Sequence, residues 1–281
     1  MKIFPGNFTI GAIAPAGKVA EDTVSAGVAA LQSLGAKVKL YPHILQGHRT
    51  LPYLAADDAA RAADLENAWL DPEINMIWAI RGGYGCARFL ELINWEKLAQ
   101  RNIPVAGFSD ITSLHWAMTA KNCGTVMALP MFSFLKDLHG STLENLDRIF
   151  KKAEQSFTLP ALRGGEISGL PLPGNLTVAT SLCGTPYFPD TTDRILVLEE
   201  VREAPYRIDR MLNQLLMCGA FRRCAGVVFG YFTTSGSDQD IMKVLEDFTT
   251  KVDVPVFYDL KFGHEQPFIP IRCDQIMQIK G

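Results

Sequence analysis

"VAGFSDITSLHWAM", residues 105–118, changes character at one polar position: a strand-like apolar stretch runs up to Phe108, and a helix-like stretch follows Ser109. A strand that becomes a helix with no long loop between them is the repeating unit of an α/β fold. The same junction recurs on either side. Upstream, FTIGAIAPAG reads as a strand ending in a Gly/Pro turn, and EDTVSAGVAALQSLG places Val24, Val28 and Leu31 at helical spacing before a closing glycine. KVKLYPHIL precedes the Ala-rich, charged DDAARAADLENAWL; INMIWAI precedes RGGYG and CARFLELI; and TVMALPMF adds a fifth strand candidate. Strands apolar on both faces and alternating with helices predict a parallel sheet covered on both sides, of the flavodoxin or Rossmann type. Ligands of such sheets bind at the carboxyl ends of the strands.

The alternation loosens around residues 136–165, where STLENLDRIFKKAEQ reads as a polar-faced helix and ALRGGEISG follows. The expected organisation is an α/β domain over 1–150, a linker over 151–168 and a smaller β-rich domain over 169–281, a barrel or sandwich with embedded helices. In that last part lie GNLTVATSL, RILVLEEV, the helix PYRIDRMLNQLLMCGAF, AGVVFGYF, a helix in DQDIMKVLEDFTTKV, then VPVFYDLKFGHE and the apolar finish FIPIRCDQIMQI.

Composition narrows the function classes. The 281 residues are 48% hydrophobic and 20% charged with a formal net charge of -3, which leaves no large basic surface for nucleic acid. No apolar run approaches the ~20 residues that span a bilayer, and the N-terminus lacks a signal peptide, so no membrane partner and a cytoplasmic location are expected. The six cysteines lack C-x-x-C spacing and read as free, mostly buried thiols rather than a disulfide or zinc framework.

Ser109 occupies the place of a nucleophile elbow, where a sharp turn lifts the hydroxyl above the sheet and the following helix supplies N–H groups for an oxyanion. Gly107 meets the small-residue requirement before it, but Ile111 stands where G-x-S-x-G has glycine. The competing reading makes Ser109 or Asp110 a helix N-cap. RGGYG, residues 81–85, is either an anion or oxyanion cradle or a tight turn after a strand. A nucleophilic serine needs a base and an orienting carboxylate. His43 and His48 lie in a loop-like stretch, His115 inside the helix after Ser109 and His139 near the linker, whereas His264 follows VFYDLKFG at the end of a strand. Glu199 and Glu200 end the apolar RILVLEE, where an acid either solvates a strand end or reaches a site.

IRGGYGCARFLELINW, GFSDITSLH, GNLTVATSLCGTPYFPD, LVLEEVREAPYRIDRMLNQL and FGHEQPFIPI together resemble, in order and spacing, the blocks of the LD-carboxypeptidases, a family that includes muramoyltetrapeptide carboxypeptidases and microcin C self-immunity peptidases. The resemblance runs from the first strand to the last. It implies a Ser-Glu-His hydrolase with Ser109 as nucleophile, His264 as base and Glu199, rather than its neighbour Glu200, as the orienting acid. The N–H groups of Asp110 and of a glycine in RGGYG, Gly83, would form the oxyanion hole, with no metal or other cofactor. The implied substrate is a murein tetrapeptide that loses its terminal D-alanine, and Arg81 is the candidate for that residue's carboxylate. A homodimer is implied as well. A peptidase acting on a peptidyl-nucleotide antibiotic or other acylated amino acid is the alternative within the class, and a non-catalytic peptide-binding protein the alternative outside it. The chain departs from many relatives at Ala128, Leu129 and Pro173, none of them in the implied triad.

Overall fold

The computed structural model describes residues 2–135 and 138–281; Lys136 and Asp137, where the alternation begins to loosen, lie outside the described residues. The N-terminal elements are β1 (Thr9–Ile13), α1 (Glu21–Ser33), β2 (Lys37–Leu40), α2 (Asp58–Leu70), β3 (Met76–Ala79), α3 (Trp95–Leu98), β4 (Pro104–Gly107), α4 (Thr112–Ala120), β5 (Thr125–Ala128), α5 (Phe132–Leu135) and α6 (Gly140–Phe150). They are followed by β6 (Gln155–Thr158), β7 (Ala161–Arg163), β8 (Glu166–Asn175), α7 (Leu176–Ser181), β9 (Arg194–Val201), α8 (Pro205–Met217), β10 (Gly226–Thr233), α9 (Asp238–Thr249), β11 (Val256–Phe257), β12 (Ile271–Arg272) and β13 (Met277–Lys280).

The first sheet has the order β12-β5-β4-β3-β1-β2, with β1 to β5 mutually parallel. This 2-1-3-4-5 winding is the flavodoxin-like order, whose crevice lies between β1 and β3. Side-chain alternation divides the sheet's two faces. Ile10, Ala12, Met76, Trp78, Ala106 and Met127 pack with Leu31, Phe132 and Leu146 of α1, α5 and α6. Ile13, Ile77, Ala79, Val105 and Val126 point the other way, against Leu65 and Trp69 of α2 and Leu114 of α4. That second core continues into the other sheet without a break, through Trp116 and Leu172 to Val197 and Val228.

The second sheet has the order β6-β13-β8-β9-β10-β11-β7. Its centre, β8 to β11, is parallel, and α7, α8 and α9 are the crossovers between successive strands. GNLTVATSL divides: Gly174 and Asn175 end β8, and the remainder begins with α7. The strand therefore lies upstream of where the apolar pattern points, in a stretch containing Pro171 and Pro173. Proline is tolerated there because residues of that parity turn their backbone away from β9. On that side the Pro173 carbonyl accepts Trp116 Nε1–H at 3.0 Å and the Asn175 N–H donates to Thr112 Oγ1 at 2.9 Å, so α4 stands where a ladder strand would. The apolar finish also divides, β12 pairing antiparallel with β5 of the first sheet and β13 joining the second.

Candidate active site

Gly107, at the end of β4, has φ 156°, and the chain then turns through Ser109 at φ 62°. An L-residue held in the left-handed region costs about 1–3 kcal/mol and persists only where its surroundings impose it. Here the turn lifts the Ser109 hydroxyl off the sheet end, and Ser109 makes no capping bond to the helical turn that follows. Asp110 makes none either. Its buried carboxylate reaches back to accept the Cys86 N–H at 2.8 Å, and burial pushes its pKa up.

Across the junction of the two sheets, His264 Nε2 lies 3.1 Å from Ser109 Oγ, and His264 Nδ1 lies 2.7 Å from Glu199 Oε2. With Nδ1–H donating to the carboxylate, Nε2 is left as an acceptor for the serine hydroxyl. The imidazole is packed by Phe108, ring centroids 4.9 Å apart, and Phe108 in turn meets Phe134 and Phe268. Glu199 is fully buried; burial raises its pKa, while the bond from His264 pulls the other way. Asn175 Nδ2 donates to Glu199 Oε1 at 3.2 Å.

Glu200 does something else. It accepts Asn175 Nδ2, Val201 N–H, Thr177 N–H and Thr177 Oγ1–H at 2.7–2.9 Å, tying β9 to the start of α7. The remaining histidines are elsewhere. His43 pairs with Asp64 at 2.7 Å, His48 accepts the Thr50 and Leu51 N–H groups, His115 is buried against the Val105 carbonyl, and His139 caps α6.

RGGYG passes directly beside the serine. A methyl group placed on Gly82 would lie 3.1 Å from Ser109 Oγ and 3.3 Å from the Asp110 N, so a side chain here would have to push Ser109 aside by a few tenths of an ångström. Gly83, at φ 109°, follows it, and the Gly82 carbonyl is fixed by the Gly17 N–H at 3.1 Å. Arg81 is exposed on the same rim, donates through Nη1 to the Lys18 carbonyl at 2.8 Å and has no ion-pair partner among the described residues. Asn175 was not singled out from sequence, its signal being its place in GNLT, where β8 becomes α7; the carboxylate of Asp110 was read only as a helix cap and instead holds the Cys86 N–H.

A family model described as the LD-carboxypeptidase N-terminal domain matches residues 10–128, and one described as the C-terminal domain matches residues 168–279. A probable murein peptide carboxypeptidase of Bacillus subtilis is 32% identical over 276 residues, covering 94% of this chain and 86% of its own. The murein tetrapeptide carboxypeptidase of Pseudomonas aeruginosa is 29% identical over 268 residues, covering 90% and 86%. Among solved structures, the muramoyltetrapeptide carboxypeptidase of Oxalobacter formigenes superposes with a TM-score of 0.84 at 27% identity over 97% of this chain and 95% of that one. An MccF-like protein of Bacillus anthracis reaches 0.89 at 22% identity over 100% and 95%, a likeness of fold.

Proposed function

The chain belongs to the LD-carboxypeptidase family, and from that premise we propose that it is a serine peptidase releasing the terminal D-alanine of a murein tetrapeptide. The observation that carries this reading is the hydrogen-bonded line Ser109–His264–Glu199, at 3.1 and 2.7 Å. His264 Nε2 takes the proton as Ser109 Oγ attacks the carbonyl of the bond between the L-centre and D-alanine. Glu199 holds the imidazole in the required tautomer and stabilises the imidazolium. The N–H groups of Asp110 and Gly83 donate to the oxyanion, each contributing on the order of 3 kcal/mol to transition-state stabilisation. Protonated His264 then gives its proton to the departing amine of D-alanine, and water attacks the acyl-enzyme with the same histidine as base. Arg81, with no carboxylate partner among the described residues, takes the substrate's terminal carboxylate.

The test is mass spectrometry of a murein tetrapeptide incubated with the purified protein and with Ser109→Ala. Loss of D-alanine with the wild type alone is the expected result. A tetrapeptide left intact by both overturns the murein reading and turns attention to peptidyl-nucleotide substrates.

A further inference from the structure

Arg61 of α2 lies outside the line of reacting groups, yet it is 1% exposed and two of its three guanidinium nitrogens bond backbone carbonyls. Nη1 donates to the Pro15 carbonyl after β1 at 2.5 Å and to the Gly85 carbonyl after β3 at 2.8 Å, and Nε donates to the Ala56 carbonyl at 3.0 Å. Nη2 pairs with Asp58, and the guanidinium carbon sits 5.0 Å from the centre of the Phe89 ring. The Gly85 carbonyl belongs to the peptide unit whose other end is the Cys86 N–H, the group held by Asp110 Oδ2 at 2.8 Å. One peptide plane at the end of RGGYG is thus gripped by its oxygen from Arg61 and by its hydrogen from the residue next to the nucleophile. The Pro15 carbonyl fixes the turn whose Gly17 N–H holds the Gly82 carbonyl at 3.1 Å. The Gly17 bond to Gly82 and the Asp110 bond to Cys86, one at each end of Gly82–Gly85, thus each adjoin a carbonyl that Arg61 holds.

We infer that Arg61 is a positioning residue for the oxyanion pocket, holding the Gly82–Gly83 segment at its distance from Ser109 through the Pro15 and Gly85 carbonyls. The inference rests on the serine-hydrolase reading of Ser109. Lysine keeps the charge but cannot span three carbonyls from one planar fork. A donor aimed at the oxyanion acts in the transition state, so its misplacement lowers kcat and leaves substrate binding in place.

The experiment compares wild type, Arg61→Lys and Arg61→Ala by two readouts: the rate of Ser109 labelling by a fluorophosphonate, which needs no peptide, and kcat and KM on murein tetrapeptide. Arg61→Lys should lose ~100-fold in labelling rate and in kcat, with KM within about 3-fold and the pH profile unmoved, because His264 and Glu199 are untouched. Guanidinium chloride at millimolar concentration should restore part of the labelling rate of Arg61→Ala. Should neither variant fold, Asp110→Asn loosens the same peptide from its other end and should show the same loss in kcat alone. Folded Arg61→Lys with wild-type labelling, a loss confined to KM, or Asp110→Asn with wild-type kcat overturns the inference. Wild type that labels but leaves tetrapeptide intact overturns the murein reading while the labelling comparison still decides the role of Arg61. Wild type that does not label overturns the serine-hydrolase reading and this inference with it.

Discussion

On the proposed mechanism the two adjacent carboxylates of β9 divide chemistry from architecture. Glu199→Gln removes the charge that orients His264 and should lower kcat by ~10³–10⁴-fold while the thermal midpoint holds or rises, since the native state no longer buries an ionised acid whose pKa burial has raised. Glu200→Gln should behave in the opposite way, losing about 1–3 kcal/mol in urea titration because four donors lose a charged acceptor, with a much smaller effect on turnover. Equal activities for the two variants would refute the division. At Ser109 the φ of 62° sets stability against reactivity. Ser109→Gly and Ser109→Ala should both be inactive, with the glycine variant more stable by about 1 kcal/mol in parallel melts. The turn at Ser109 was legible because the hydrophobic pattern changes type at that residue. Arg61 was not, because an arginine in an Ala-rich helix with charged neighbours reads as a solvated face, and only the fold brings three loop carbonyls to it.

At the scale of elements, α4 links the Ser109 turn to the second sheet. Gly174→Ala would place a methyl 3.0 Å from both Thr112 and Trp116, wedging α4 away from β8. We expect a loss of about 1–3 kcal/mol together with a fall in kcat, checked by calorimetry and turnover on the same preparation. Within α4, burial holds His115 down to a pKa of about 4. The unfolded chain takes up this proton below about 6.5 while the native state refuses it, so its contribution is intact above pH 6.5 and is lost as pH falls toward 4. That difference is worth on the order of 3 kcal/mol. His115→Gln should flatten the stability profile over that window, and an unchanged slope would refute the assignment. The parallel strands of the first sheet were readable from apolar runs of the right length. β8 was not, because its two prolines argue against a strand until α4 is seen to occupy that edge.

Over the whole molecule, one core runs from Ile13 to Ile279 through both sheets. β12 returns from the C-terminal part to pair with β5, and Gln155, at the start of the second sheet, holds the backbone of Arg272 by both its amide nitrogen and its oxygen at 2.9 Å. Local pattern could suggest two units but not this return, since a two-residue strand has no period to read. The shared core predicts one cooperative transition. Trp69 and Trp78 belong to the first sheet's side whereas Trp95 meets Tyr187 and Trp116 bonds β8, so fluorescence of a Trp95→Phe, Trp116→Phe variant reports the first sheet, while labelling of buried Cys224, read on its own peptide by mass spectrometry, reports the second. Midpoints in urea from the two probes should coincide, and separated midpoints would show independent units. The line from Ser109 to His264 also spans 155 residues of chain. At ~5–20 residues per second a ribosome takes roughly 8–30 s to cover that length. On the proposed mechanism a nascent chain therefore carries its serine without a base for that interval, and reactivity begins only once His264 has been added and docked against Ser109.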